Sequence, residues 1–154
     1  MKKKNTRLPL MLFVVITFVI MVTVNALSAL LPLNGITPGE VSDSYPNLFA
    51  PAGITFSIWS LIYLLLAAHT LYQIGLFRGN EKVNYELLRK TGIVFSVSSL
   101  INAAWIFSWH YRIIPLSMVL MVFLLSCVID IAVIVNAQSL SPREKVFFRL
   151  PFSV

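Results

Sequence analysis

The chain has 154 residues, 58% of them hydrophobic and only 12% charged, with a mean hydropathy of +0.84. Soluble domains carry about 25% charged residues, so there are too few here to coat a water-exposed core. The length fits one domain, and the composition puts that domain, 1–154, in a bilayer as an all-α, polytopic membrane helix bundle. The single Cys127 cannot form an internal disulfide.

Lys2, Lys3, Lys4 and Arg7 open the chain, and 8–31 is then apolar. A basic start before an apolar core also describes a signal peptide, and Ala26-Leu27-Ser28-Ala29 is a passable cleavage context. Signal cores run to about 7–15 residues, whereas about 20 apolar residues span a bilayer. The 8–31 run therefore reads better as an uncleaved first span.

Residues 32–53 read as a polar loop, punctuated by Asn34-Gly35, Pro38-Gly39, Pro46 and Pro51. Pro51 suits a helix first turn because it lacks the N–H that such a position leaves unpaired. The second span is expected over about 54–74. Phe56, Trp59, Ser60 and Tyr63 fall there at i, i+3, i+4 and i+7, so one helical face carries an aromatic and hydroxyl stripe. Such a stripe serves helix packing and interfacial anchoring, or it walls a cavity.

Arg78, Lys82, Arg89 and Lys90 follow in 75–92, before a third span at about 93–109. Ser98, Asn102, Trp105 and Trp109 again share one face. A tight connection at 110–112 leads to a fourth span at about 113–135, with Pro115 near its start. Residues 136–149 are polar and carry Arg143, Lys145 and Arg149.

Eleven of the twelve Lys and Arg residues thus flank the spans on one side, and Arg112 alone lies on the other. That bias predicts a cytoplasmic N-terminus and a cytoplasmic 75–92 loop. The cations read as topology signals, and no nucleic-acid partner is expected. In this orientation Phe56, Trp59, Tyr63, Asn102, Trp105 and Trp109 all lie in the outer half, and span one brings Asn25 and Ser28 to the same level. Aromatic walls with few polar groups suit a flat, apolar ligand.

These residues carry a resemblance. The run Phe49-Ala-Pro-Ala-Gly-Ile-Thr-Phe-Ser-Ile-Trp59-Ser-Leu-Ile-Tyr63 resembles the entry and second helix of the TspO/MBR (translocator protein, tryptophan-rich sensory protein) family. Ile101-Asn102-Ala103-Ala104-Trp105 resembles its third-helix Leu-Asn-x-x-Trp pattern, and Arg149-Leu150-Pro151-Phe152 the start of its fifth helix. Departures include one Pro and no Trp in 49–53, and Trp109-His110 where paired Phe is common. Span four has no early acidic residue, since Asp130 lies late. The resemblance implies four spans of an expected five, with 150–154 the start of a truncated fifth.

It further implies a sensory or binding protein for a hydrophobic planar ligand, tetrapyrrole or sterol-like, with Pro51, Phe56, Trp59, Tyr63, Asn102, Trp105 and Trp109 as the ligand-binding set. A porphyrin or haem-like molecule would be a ligand, with no cofactor required. The alternative is a transporter or a transporter-accessory subunit, although no inverted repeat is visible. Expected partners are the lipid bilayer, a hydrophobic small molecule and, as one option, a second copy in a homodimer. The expected location is a bacterial plasma membrane.

The other titratable groups read more plainly. His110 is expected as a boundary residue at the outer interface, and His69 in a polar contact to a neighbouring helix. Asp130 is expected to cap a helix or pair with a nearby cation. No metal-ligand spacing, nucleophile–base pair or paired carboxylate is recognisable. Porphyrin degradation is the one enzymatic option the resemblance leaves open.

Overall fold

A computed structural model describes residues 7–31, 33–45, 58–79 and 84–153. Four long helices dominate: α1 (Arg7–Leu30), α3 (Ile58–Gln73), α4 (Tyr85–His110) and α5 (Ile114–Asn136), with a short α2 (Pro38–Asp43) between the first two. Three of them, α1, α4 and α5, are long and apolar enough to cross a membrane. α3 is apolar but has 16 described residues, about 24 Å at 1.5 Å per residue. The expected second-span residues 54–57 lie outside the described residues.

α4 packs against both α1 and α5, and α3 lies against α1. The C-terminal turns at Lys145–Arg149 and Leu150–Phe152, which follow a short turn at Pro142–Glu144, pack on both α3 and α5, joining helices that otherwise meet little. Residues 150–152, expected to lead into a further span, form a 3-10 turn within this junction.

Local chemistry explains where the sequence reading and the helices differ. α4 begins at Tyr85, eight residues before the expected 93. Asn84 accepts a hydrogen bond from the Leu87 N–H at 3.1 Å, and Glu86 pairs with Lys90 at 2.7 Å. Polar residues there mark the edge of the apolar stretch without ending the helix. Twenty-six residues measure about 39 Å, so the first two turns project beyond a hydrocarbon layer of about 30 Å.

Within 32–53, read as loop, α2 forms because Thr37 and Glu40 make a reciprocal capping box with Pro38 in the first turn. The Thr37 N–H donates to the Glu40 carboxylate at 2.6 Å, and the Glu40 N–H donates back to Thr37 Oγ1 at 3.3 Å.

The core lies at the end of the bundle where the cations gather, here called the basic end. Val14, Leu87, Phe95, Ile131, Val135 and Phe148 are almost wholly buried together with Tyr72. Gly92 lets α1 approach α4, since a Cβ there would sit 3.2 Å from the Val14 side chain. His69 is fully buried beneath the edges of Phe95, Phe148 and Phe152, each with ring centroids 5.1 Å away. Its Nδ1 donates to the Phe147 carbonyl at 2.8 Å, which leaves Nε2 to accept from Gln73 Nε2 at 3.4 Å. Gln73 also donates to Thr91 Oγ1 at 3.1 Å. The polar contact expected of His69 thus ties α3 to the C-terminal turns and, through Gln73, to α4.

Two expectations are corrected. His110 is fully buried, its Nδ1 donating to the Ile106 carbonyl at 2.8 Å. The turn at Leu33–Gly35 packs against α4, and Asn34 donates to the His110 carbonyl at 3.2 Å. Asn34 takes a left-handed φ of 56° to reach it, a geometry Asn tolerates better than most residues. Asp130 is exposed and pairs with no cation among the described residues.

Candidate functional site

The far half of the bundle holds a cavity of about 570 Å³. Trp59, Ser60 and Tyr63 of α3 form one wall, and Trp105, Ile106 and Trp109 of α4 another. The Trp105 and Trp109 rings lie stacked, 6.1 Å apart and 22° from parallel. α1 supplies a third wall of smaller side chains, Asn25, Ala26, Ser28 and Ala29. Pro38, Gly39 and Ser42 of α2 cover the top.

Each wall follows from the spacing of its residues. Trp105 and Trp109 are one helical turn apart, as are Trp59 and Tyr63, so each pair projects from one face. Ala26, Ser28 and Ala29 are small while the intervening Leu27 is not part of the lining, which leaves room where a larger side chain would close the gap. Trp109 Nε1 donates to the Pro38 carbonyl at 3.4 Å, so the wall itself helps hold α2 in place.

Two amides join α1 to α4 at the cavity. Asn25 Nδ2 donates to Asn102 Oδ1 at 2.7 Å and to the Met21 carbonyl at 2.8 Å. Asn102 therefore sits behind the lining, where it fixes the amide of Asn25 and joins α1 to α4. Trp105 Nε1 is buried and has no hydrogen-bond partner among the described residues. An unpaired buried donor costs about 1–3 kcal/mol, a cost that a ligand carrying an acceptor would remove.

Of the seven residues expected to bind ligand, Trp59, Tyr63, Trp105 and Trp109 meet around this one cavity, and Asn102 reaches it through Asn25. Pro51 and Phe56 lie outside the described residues. The sequence reading missed the cover formed by α2. The Thr37-Pro-Gly-Glu40 capping signature was the signal that could have found it.

Three spanning helices, a shorter apolar one and an aromatic-walled cavity between them define an integral membrane protein of the all-α, polytopic class. The sequence model of the TSPO-like protein family matches residues 11–154, and the chain belongs to that family. No curated protein and no solved structure matches it.

Proposed function

We propose that this membrane protein is a TspO-type sensory or binding protein, taking a flat, mainly apolar ligand such as a tetrapyrrole or a sterol-like molecule in the far-half cavity. The carrying observation is the meeting of Trp59, Tyr63, Trp105 and Trp109 around about 570 Å³. Aromatic rings supply broad, rigid contact area to a planar ring system. The unpartnered Trp105 N–H offers one directional contact, and the Asn25–Asn102 pair a polar floor.

The charge distribution supports a cytoplasmic N-terminus. The cavity then opens in the outer half, where an apolar ligand can enter from outside or from the outer leaflet.

Tryptophan fluorescence of the purified protein titrated with protoporphyrin tests the reading. Saturable quenching is expected, and Trp105→Phe should weaken the affinity because an aromatic ring is kept while the N–H is lost. Linear, unsaturable quenching that is identical in Trp105→Phe would overturn it. Following the porphyrin absorbance under light in the same samples separates a binder from a porphyrin-degrading catalyst.

A further inference from the structure

A second cavity, of about 540 Å³, lies at the basic end of the bundle. Guanidinium groups from three separate elements face it. Arg7 comes from the first turn of α1, Arg78 from the segment after α3, and Arg89 from the second turn of α4. No carboxylate lines this cavity among the described residues, and the Lys90–Glu86 pair lies outside the lining.

Two of the three cations are held in place by the fold. The Arg7 guanidinium carbon lies 3.7 Å from the centroid of the Tyr85 ring, a cation–π geometry. α3 ends at Gln73, and Gly75 in the turn that follows has a φ of 110°, which suits a residue without Cβ. The chain then turns so that Arg78 reaches back to the last turn. Its Nε donates to the Tyr72 carbonyl at 2.9 Å, and its terminal nitrogen to the Gln73 carbonyl. Burial lowers the Arg78 pKa and the Arg7 charge pushes the same way, against the opposing influence of Tyr72 and Tyr85. Cations gathered with no carboxylate among the described lining residues carry a repulsion that a bound anion would relieve.

Apart from Gln73 and Tyr85, the remaining lining is apolar and graded along the helix axis. α1 and α4 both start at this end, so their polar first turns come before the apolar residues that follow. Leu10 and Met11 come one turn after Arg7, and Ile93 two turns after Tyr85. An occupant therefore meets guanidinium groups at the mouth and hydrocarbon further in. A free phosphate or a soluble phosphate ester would use only the first half of that gradient.

We propose that this cavity seats the phosphate headgroup of an anionic phospholipid, with its acyl chains running along Leu10, Met11 and Ile93. Guanidinium forks match phosphate oxygens in geometry and charge, and basic pockets between membrane helices bind anionic headgroups. The site is separate from the aromatic cavity and does not depend on its ligand.

Native mass spectrometry of the full chain in detergent, titrated with phosphatidylglycerol or phosphatidylcholine of identical acyl chains, tests this. Phosphatidylglycerol should be retained at least about tenfold better. Arg7→Gln and Arg89→Gln should each weaken it about fivefold, from the contribution of one cation near an anionic surface. Lys145→Gln, at the same end but outside the cavity, should leave retention unchanged. Arg89 is exposed, so its variant stays informative if Arg7→Gln folds poorly. Equal retention of the two lipids, or an equal loss in Lys145→Gln, would overturn the site in favour of diffuse surface charge. Complete displacement by millimolar inorganic phosphate would overturn the lipid assignment in favour of a free-phosphate site.

Discussion

The two halves of the bundle share the same helices yet are filled in opposite ways. At the basic end, large side chains arrive from every side. Phe95 of α4, Phe148 and Phe152 of the C-terminal turns and His69 of α3 meet edge to face. Tyr72 stacks on Phe147 at 4.9 Å and Phe77 on Phe147 at 5.7 Å. Among the described residues that line the far-half cavity, the aromatic ones sit on α3 and α4, facing the mostly smaller side chains of α1. Bulk opposed by bulk fills space, and bulk opposed by alanine leaves a cavity. The C-terminal turns strengthen the contrast, since they pack between α3 and α5 at the basic end. Stability should accordingly reside in one half and ligand recognition in the other.

The largest expected effect comes from emptying the filled half. Phe95 is 1% exposed and touches Phe18, His69 and Phe152. Phe→Ala changes cost about 3–5 kcal/mol in soluble cores. In a bilayer the unfolded helix still rests in hydrocarbon, so the loss is one of packing, and about 3 kcal/mol is expected for Phe95→Ala. Thermal unfolding in detergent measures it. A Trp105→Ala change that destabilised the free protein as much would break the comparison, because the far half would then be equally structural.

A smaller effect, of opposite character, is expected from filling the hollow half. Ala26 faces the cavity from α1 and is exposed, so Ala26→Phe introduces a ring into the open volume without displacing a packed neighbour. Its effect on stability should stay within about 0.5 kcal/mol. Porphyrin affinity, read from fluorescence quenching, should fall more than about tenfold, or about 1.4 kcal/mol. Unaltered quenching would show that the porphyrin binds elsewhere.

The aromatic faces of the hollow half could be read in the sequence, for a physical reason. Helical periodicity fixes which side chains share a face, so the pairing of Trp59 with Tyr63 and of Trp105 with Trp109 was legible at once. The charge bias aligned the spans and put those faces at one depth. Periodicity says nothing about which face meets which helix, and there the reading stopped. His110 looked like an interfacial residue because it follows Trp109 at the end of an apolar run. Its burial depends on Asn34, 76 residues away, turning back over α4. The aromatic lock at the basic end was equally hidden, because Phe147, Phe148 and Phe152 lie in a polar-looking tail where no long helical pattern points to packing. The start of α4 was misplaced because hydropathy reports the membrane boundary, whereas the Asn84 cap and the Glu86–Lys90 pair carry the helix beyond it.

The smallest expected effect concerns the cover over the hollow half and depends on pH. The Glu40 carboxylate accepts from the Thr37 N–H at 2.6 Å and the Thr37 hydroxyl at 2.9 Å, and these bonds hold its pKa below the ordinary glutamate value. A depressed carboxylate pKa stabilises the fold fully above the unfolded value, about 4.3 for Glu. That contribution is lost as pH falls through the lower folded value. The α2 capping box should therefore be intact at neutral pH and loosen in acid below about pH 4. Hydrogen exchange at the Glu40 and Val41 amides, corrected for the intrinsic rate, reads this directly, since both donate to Thr37. Protection there should fall on acidification, while amides around Phe95 at the basic end stay protected. Glu40→Gln should show weakened protection at every pH, because a neutral amide replaces the charged acceptor. Equal loss of protection in both halves would mean that acid unfolds the bundle as a whole, and that the cover over the cavity has no separate stability of its own.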